Sequence, residues 1–359
     1  HITQPEDMGS STEGDVVSTI EPSVQASLQN ELELTRDRWK SDRTMGIIMD
    51  PVTGQVVAMA VTPGFDINNY KKESSVSIFN NPAVESVFEM GSIMKPIIAA
   101  TALDQGVITA DTRYNDSGFV QVRNRTIRNF DKRGRGNGVT MQTVLDQSLN
   151  TGMVFMMQRM QPQNFVSQFT KFGFGEKVPS DFFSQTPAGI IPTPEWKMKN
   201  FDGETWRLGN TYHTSIGQYG FQVTPLQAVR ALASIANNGK LLVPTILKSE
   251  KPTVERTIDL PKEYFDIIHE GMRMGVKEGT AVSLNVPYVE IAAKSGTAEL
   301  GVTKDRVNSW MTGYFPYSNP KYAFALVMER GQVHNLIGAG AAFRELIDWM
   351  HLYTPEYFQ

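Results

Sequence analysis

Val24, Leu28 and Leu32 recur every fourth position within residues 21–40, the spacing that stacks side chains on one face of an α-helix, so a helix is predicted there. The next apolar stretches are shorter. Met45–Met49 and Gln55–Val61 read as two strands joined through Pro51-Val52-Thr53-Gly54, whose proline and glycine suit a turn. Helical patterns follow over 93–104, 141–147, 152–160, 224–238 and 264–275. Residues 289–298, 309–315 and 322–329 then read as strands, and 340–352 as a closing helix. Early strands, a helical middle and late strands imply that the two ends of the chain share one sheet, in a mixed α+β fold without internal repeats.

Composition narrows the chemistry. The chain has 359 residues, enough for one large domain or two, and its 40% hydrophobic and 20% charged content is that of an ordinary soluble protein. A net charge of −4 gives no global pull toward nucleic acid, and no nucleic-acid partner is expected. Cysteine is absent, which excludes disulfides, thiolate metal sites and a cysteine nucleophile. The five histidines, His1, His213, His269, His334 and His351, have no metal-ligand spacing, so neither metal nor cofactor is expected. No apolar run approaches the ~18 residues that span a bilayer. Gly134-Arg135-Gly136-Asn137-Gly138 lacks the Lys-Ser/Thr and the preceding strand of a phosphate loop, and reads as a turn before a helix capped by Thr140. Arg123, Arg125, Arg128, Lys132, Arg133 and Arg135 form a basic run that could contact anionic polymers or be a solvated loop. Met153, Met156, Met157 and Met160 stand at helical spacing and read as core packing.

Three short strings carry the catalytic signal: Ser92-Ile93-Met94-Lys95, Ser148-Leu149-Asn150 and Lys294-Ser295-Gly296-Thr297, about 55 and about 145 residues apart. A serine hydroxyl is a weak nucleophile at neutral pH and needs a neighbouring base. Ser92 and Lys95 are three residues apart, on one face of a helix, and Ser92 at the helix start gains the free N–H groups that suit an oxyanion. An unperturbed lysine titrates near 10.4, so Lys95 must be depressed by roughly three units to act as a base, a shift within reach of burial and a second cation. Strand alternation sends Lys294 and Gly296 to one face and Ser295 and Thr297 to the other. Both pairs reach one cleft only if this strand lies at a sheet edge or is locally distorted. Gly296 at mid-strand marks such a site or a close backbone approach, where a ligand would lie against the main chain.

The chain resembles the transpeptidase domain of class B penicillin-binding proteins, from about Thr19 to about Trp349. Beyond the three strings, the resemblance rests on Thr19-Ile20-Glu21-Pro22-Ser23-Val24-Gln25, Met49–Ala60, Phe65-Asp66-Ile67-Asn68 and Phe88-Glu89-Met90-Gly91-Ser92. It continues through Ser215-Ile216-Gly217-Gln218, Val223-Thr224-Pro225-Leu226-Gln227 and Ala292–Ala298. Met90 stands where the family usually has proline, and Ser295 where many members have threonine. The resemblance implies the penicillin-binding/serine β-lactamase-like fold: a five-stranded antiparallel sheet flanked by helices, beside an all-helical lobe. Residues 19–359 would form this domain, and 1–18 a linker, a pedestal remnant or a cloning scar.

The same resemblance implies a role for each motif residue. Ser92 would attack the penultimate D-Ala carbonyl of a peptidoglycan stem peptide ending in D-Ala-D-Ala, with Lys95 as base, directly or through another group. Ser148 would relay a proton to the leaving amine, Lys294 would supply the cation, and Asn150 would hold the substrate amide. The backbone N–H groups of Ser92 and Thr297 would form the oxyanion hole, Gly296 would admit the ligand, and the Ser295 and Thr297 hydroxyls would bind the terminal carboxylate. Expected partners are stem peptides, β-lactam antibiotics and, for the full-length protein, a SEDS-family glycosyltransferase. The expected location is extracytoplasmic, with a membrane anchor missing from this chain. A β-lactamase or D,D-carboxypeptidase on the same fold, with Glu195 and Asn200 as a weak deacylating candidate, and a non-catalytic β-lactam sensor are the alternatives.

Overall fold

The computed structural model describes residues 16–358 apart from 124, 162–163, 181, 184–185, 250, 301–304 and 333–337. The expected linker over 1–18 therefore lies almost wholly outside the described residues. Ser18 at its end forms an antiparallel bridge with Leu247.

Five strands make the central sheet: β1 (Arg43–Met49), β2 (Val56–Thr62), β3 (Ala292–Leu300), β4 (Arg306–Phe315) and β5 (Tyr322–Gln332). Their spatial order is β3-β4-β5-β1-β2, and neighbouring strands pair antiparallel throughout. The two ends of the chain meet where Met45 pairs with Val327 and Ile47 with Ala325. β3, the strand carrying Lys294-Ser295-Gly296-Thr297, is an edge strand in continuous register with β4, so its open side is available without distortion.

Both faces of the sheet are covered, which is why its inner strands read as nearly unbroken apolar runs. On one face Ile48, Phe324, Leu326 and Met328 pack with Val24, Leu28 and Leu32 of α1 (Pro22–Trp39) and with Phe343, Leu346 and Ile347 of the closing helix (Ala339–Tyr353). On the other, Met45, Ile47, Ala325 and Val327 join the larger core with Leu226, Val229 and Leu232 of the helix Pro225–Ala236. That helix begins with a reciprocal capping box between Thr224 and Gln227 and has Pro225 in its first turn.

The helical lobe is built on α2 (Lys95–Asp104), α3 (Met141–Asp146) and α4 (Asn150–Met157), with Phe165 and Phe169 behind them. Residues Lys95 to Leu103 of α2 are all buried. Met153, Met156, Met157 and Met160 are core residues, as their spacing suggests. Thr140 accepts a hydrogen bond from the Thr143 N–H and caps α3. This lobe also carries two short antiparallel pairs, Tyr114–Asp116 with Gly136–Val139 and Phe119–Val122 with Arg125–Arg128.

Element types follow the sequence pattern closely and differ mainly at ends. The predicted helix over 93–104 begins instead with a 3₁₀ turn, Gly91–Met94, and that over 152–160 shifts to Asn150–Met157. The short helices Phe165–Thr170, Pro194–Asn200 and Leu208–Thr214 had no counterpart in the periodicity, because two turns give too few repeats to register.

Phe343 stacks on Phe324 with ring centroids 3.6 Å apart, and both are fully buried. Phe343→Ala is expected to lower stability by about 3–5 kcal/mol. Urea unfolding measures it, and a loss below about 1 kcal/mol would contradict this packing.

Candidate active site

Ser92 lies in the 3₁₀ turn Gly91–Met94, whose last hydrogen bond runs from the Lys95 N–H to the Ser92 carbonyl. A 3₁₀ turn has three residues per turn, so positions i and i+3 eclipse. Ser92 and Lys95 therefore stand one above the other at the entrance to α2. Ser92 is half-buried, whereas Lys95 is sealed at 0% exposure.

The Lys95 amine meets three oxygens: the Ser148 carbonyl at 2.6 Å, Asn150 Oδ1 at 2.8 Å and Ser148 Oγ at 3.1 Å. The Lys294 amine reaches the same Ser148 Oγ at 2.9 Å, and also the Ser295 carbonyl at 2.9 Å. Two buried lysines thus share one hydroxyl. Burial holds Lys95 well below the usual lysine range, and the charge of Lys294 lowers it further. Burial also lowers Lys294, to about 7, against the opposing pull of the Asp146 carboxylate. Burial and the neighbouring charge both favour the neutral form of Lys95. A neutral amine has two donors and one lone pair, so it can donate to the Ser148 carbonyl and Asn150 Oδ1 and keep the lone pair for a hydroxyl.

Ser148 occupies a bend between α3 and α4 with φ +54°, a left-handed conformation that costs a non-glycine residue on the order of 1 kcal/mol. Its carbonyl is held there by the Lys95 amine. Asn150 follows at the start of α4, and its Nδ2 donates to the Arg128 carbonyl at 2.8 Å. Its amide is thus engaged at both ends within the protein, and only its second N–H and second lone pair remain for a ligand. Beneath it, buried Asp116 accepts hydrogen bonds from Thr151 Oγ1, Asn129 Nδ2 and the N–H groups of Gly118 and Arg135. Asn129 Oδ1 in turn accepts from the Thr151 N–H.

On β3, Lys294, Gly296 and Ala298 face inward, while Ser295 is half-buried and Thr297 exposed. This is the expected alternation on an edge strand. Ser295 Oγ donates to Thr280 Oγ1 at 3.0 Å. At Gly296 a Cβ would lie 2.8 Å from Ile93 Cγ2 and 2.9 Å from the Met90 carbonyl, so the missing side chain lets the Ser92 segment press against β3, the close backbone approach that a mid-strand glycine suggests.

Several parts of the site were not singled out as site residues from sequence. The backbones of Gly217, Gly91 and Thr297 stack in succession: a Cβ on Gly217 would lie 2.1 Å from the Gly91 carbonyl oxygen, and one on Gly91 would lie 2.6 Å from that of Thr297. The Gly91 N–H donates to the Gly217 carbonyl at 3.0 Å. Trp310 Nε1 donates to the Glu89 carbonyl, and Glu89 Oε1 accepts from the Gly220 N–H. Met90 has φ −72°, close to a proline's fixed value, so the departure from the family's usual residue leaves the backbone path unchanged. Thr280 donates its N–H to the Asp146 carbonyl and contacts the Lys294 amine through Oγ1, at 3.4 Å. The signal for Gly217 was present in Ser215-Ile216-Gly217-Gln218. Nothing local marked Asp116, Asp146 or Thr280.

The remaining candidates stand apart from this arrangement. Glu195 is exposed in the first turn of Pro194–Asn200, and Asn200 donates to the Trp196 carbonyl. The His213 carbonyl accepts from the N–H groups of Ile216 and Gln218, which shapes the turn leading to Gly217. His1 and His334 lie outside the described residues. Among the described residues no three His, Asp or Glu side chains cluster as metal ligands would.

Comparison with known proteins finds the penicillin binding protein transpeptidase domain matching residues 44–348. The peptidoglycan D,D-transpeptidase MrdA of Escherichia coli strain K12 is 29% identical over 351 aligned residues, covering 86% of this chain and 54% of the relative. The chain thus spans about half the length of the curated relatives it matches. The Pseudomonas aeruginosa PBP2, solved in complex with WCK 5153, superposes with a TM-score of 0.81 at 27% identity, covering 95% of this chain and 79% of that one. The transpeptidase domain of Burkholderia pseudomallei penicillin-binding protein 3, at 24% identity and a TM-score of 0.77, shares the fold, with 96% and 98% covered.

Gly217→Ala is expected to destabilise by about 2–4 kcal/mol, through overpacking plus left-handed strain. Gly106 also has positive φ, but no atom lies within 4 Å of where its Cβ would stand, so Gly106→Ala should cost only about 1 kcal/mol. Equal losses for the two variants in urea unfolding would remove the close approach as the cause.

Proposed function

The chain belongs to the penicillin-binding protein transpeptidase family, and from that membership we propose that it is a peptidoglycan D,D-transpeptidase domain cross-linking stem peptides through a serine acyl-enzyme. The observation that carries this reading is the pair of buried amines, Lys95 and Lys294, on one Ser148 hydroxyl, with Lys95 one 3₁₀ turn after Ser92. A neutral Lys95 accepts the Ser92 proton as Oγ adds to the carbonyl of the penultimate D-Ala. The resulting oxyanion is met by the N–H groups of Ser92 and Thr297, each such donor contributing on the order of 3 kcal/mol to transition-state stabilisation. The proton then passes through Ser148 to the departing D-Ala nitrogen as the C–N bond breaks, leaving an ester on Ser92. An acceptor amine attacks that ester and restores the free hydroxyl.

Lys294 serves as the cation in this scheme. With Ser295 and Thr297 it receives the substrate's terminal carboxylate, and its charge keeps Lys95 unprotonated. Asn150 orients Lys95 through Oδ1 and offers its free N–H to the donor peptide. A β-lactam presents a carbonyl and a carboxylate in the same relation and acylates Ser92. The exposed position of Glu195, with no hydrogen bond to the site among the described residues, speaks against a deacylating β-lactamase. The substrate puts the domain's work on the extracytoplasmic side, with a SEDS-family glycosyltransferase as partner of the full-length protein. No helix among the described residues is long and apolar enough to cross a membrane.

Incubation with a penicillin should give one stoichiometric adduct on Ser92 by intact-mass spectrometry, stable for many minutes and absent in Ser92→Ala. Rapid return of free protein with hydrolysed drug would overturn the transpeptidase reading in favour of a β-lactamase. Lys95→Ala should reduce acylation by about 10²–10⁴-fold, the usual contribution of a positioned base.

Acylation should also show a bell-shaped pH profile. It rises as Lys95 loses its proton, and falls above about 7 as Lys294 loses its charge. The Asp146 carboxylate raises the Lys294 pKa, so Asp146→Asn should move the descending limb to lower pH and the ascending limb less. A descending limb that stays in place would rule out this charge coupling.

A further inference from the structure

The hairpin beside Asn150 has a composition unlike the rest of the chain. Residues 119–135 hold six basic side chains, Arg123, Arg125, Arg128, Lys132, Arg133 and Arg135, against one acidic residue, Asp131, in a protein of net charge −4. Arg135 pairs with Asp131. Arg123, Arg128, Lys132 and Arg133 are exposed; among the described residues, Asp131 is the one carboxylate that interacts with any of them, through Arg133. So much like charge in a short segment repels itself, and the fold holds it in place by other means.

The hairpin is anchored from below. Ile127, Val120 and Val122 pack with Val154 of α4 and with Tyr212. The opposite face carries Phe119 and Arg128, directly paired across the strands, with the guanidinium 5.4 Å from the ring centre. The Asp116–Asn129–Thr151 network ties the hairpin base to the first turn of α4. The Arg128 carbonyl holds Asn150, which holds Lys95. The Asp116 network and the Arg128 carbonyl therefore join this basic segment to α4 and to Asn150.

We propose that this face docks the carboxylate-bearing peptidoglycan strand whose stem peptide enters the cleft, a deepening that rests on the transpeptidase reading. Each uncross-linked stem peptide ends in a carboxylate, so a glycan strand presents a row of anions. Four exposed cations, on a segment joined to Asn150 through the Arg128 carbonyl, match such a row in charge. They act together, through a field that salt screens over a Debye length of ~8 Å at physiological ionic strength. Small β-lactams reach Ser92 without touching this face.

The test compares wild type with the R123E/K132E/R133E variant, whose substitutions lie at exposed side chains that make no hydrogen bond to Asn150. Co-sedimentation with purified peptidoglycan sacculi should fall about tenfold or more in the variant, and wild-type binding should weaken steeply between roughly 50 and 200 mM salt. Acylation by a fluorescent penicillin should stay within about twofold, since general acid–base groups are untouched. If the variant's acylation also falls, R123Q/K132Q keeps the test valid with a smaller charge change. Sacculus binding equal to wild type in an acylation-competent variant overturns the proposal. So does wild-type binding to vesicles of anionic phospholipid but not to sacculi, which would make the face a membrane contact. Absence of any penicillin adduct in the wild type would instead sink the transpeptidase reading and leave sacculus binding to be judged separately.

Discussion

Two ammonium groups cannot both stay charged in a dry interior when they share one hydroxyl, and this electrostatic conflict organises the site. Lys95 and Lys294 come from a helix and a strand far apart in the chain, yet both reach Ser148 Oγ. Desolvation depresses both amines, and the charge of Lys294 lowers Lys95 further. Lys95 is the more confined, with the Ser148 carbonyl and Asn150 Oδ1 accepting its N–H groups. Lys294 has the Asp146 carboxylate within electrostatic reach to support a positive charge. The asymmetry favours the neutral form at Lys95 and supports the charged form at Lys294, although the two side chains are chemically identical.

Maintaining that arrangement requires backbone strain and close contacts that a loosely packed protein would relax. Ser148 sits in a left-handed conformation, held by the amine that its carbonyl binds. Gly217, Gly91 and Thr297 approach so closely that side chains on the two glycines would collide with main-chain oxygens. The Trp310 indole fixes Glu89, three residues before Ser92. Each contact brings a different element to the edge strand β3, and the sheet beneath, apolar on both faces, supplies the rigidity they depend on.

A second layer of support comes from Asp116, whose buried carboxylate gathers donors from the chain on both sides of α3. Removing such a carboxylate would strand several donors at once, at a cost of about 1–3 kcal/mol each. This network also joins the basic hairpin to α4.

The sequence by itself determined the element types, the union of both chain ends in one sheet and the three strings that the fold brings together, because these depend on local periodicity and on residues within one turn of each other. Val24, Leu28 and Leu32 announce a helix wherever they are placed, and Ser92 with Lys95 share a face in any helical turn. Alternation along Lys294–Thr297 even pointed to an edge strand, and β3 is one. Tertiary structure alone decided that Ser148 would be strained, that Gly296 would admit the Ser92 segment, and that Asp146 and Thr280 would stand behind Lys294. Those outcomes depend on distances between segments far apart in the chain, where no local pattern carries information. The helix boundary at Ser92 belongs with them: the 3₁₀ turn arises from the squeeze between Gly217 and β3, and a hydrophobic pattern is blind to such a squeeze.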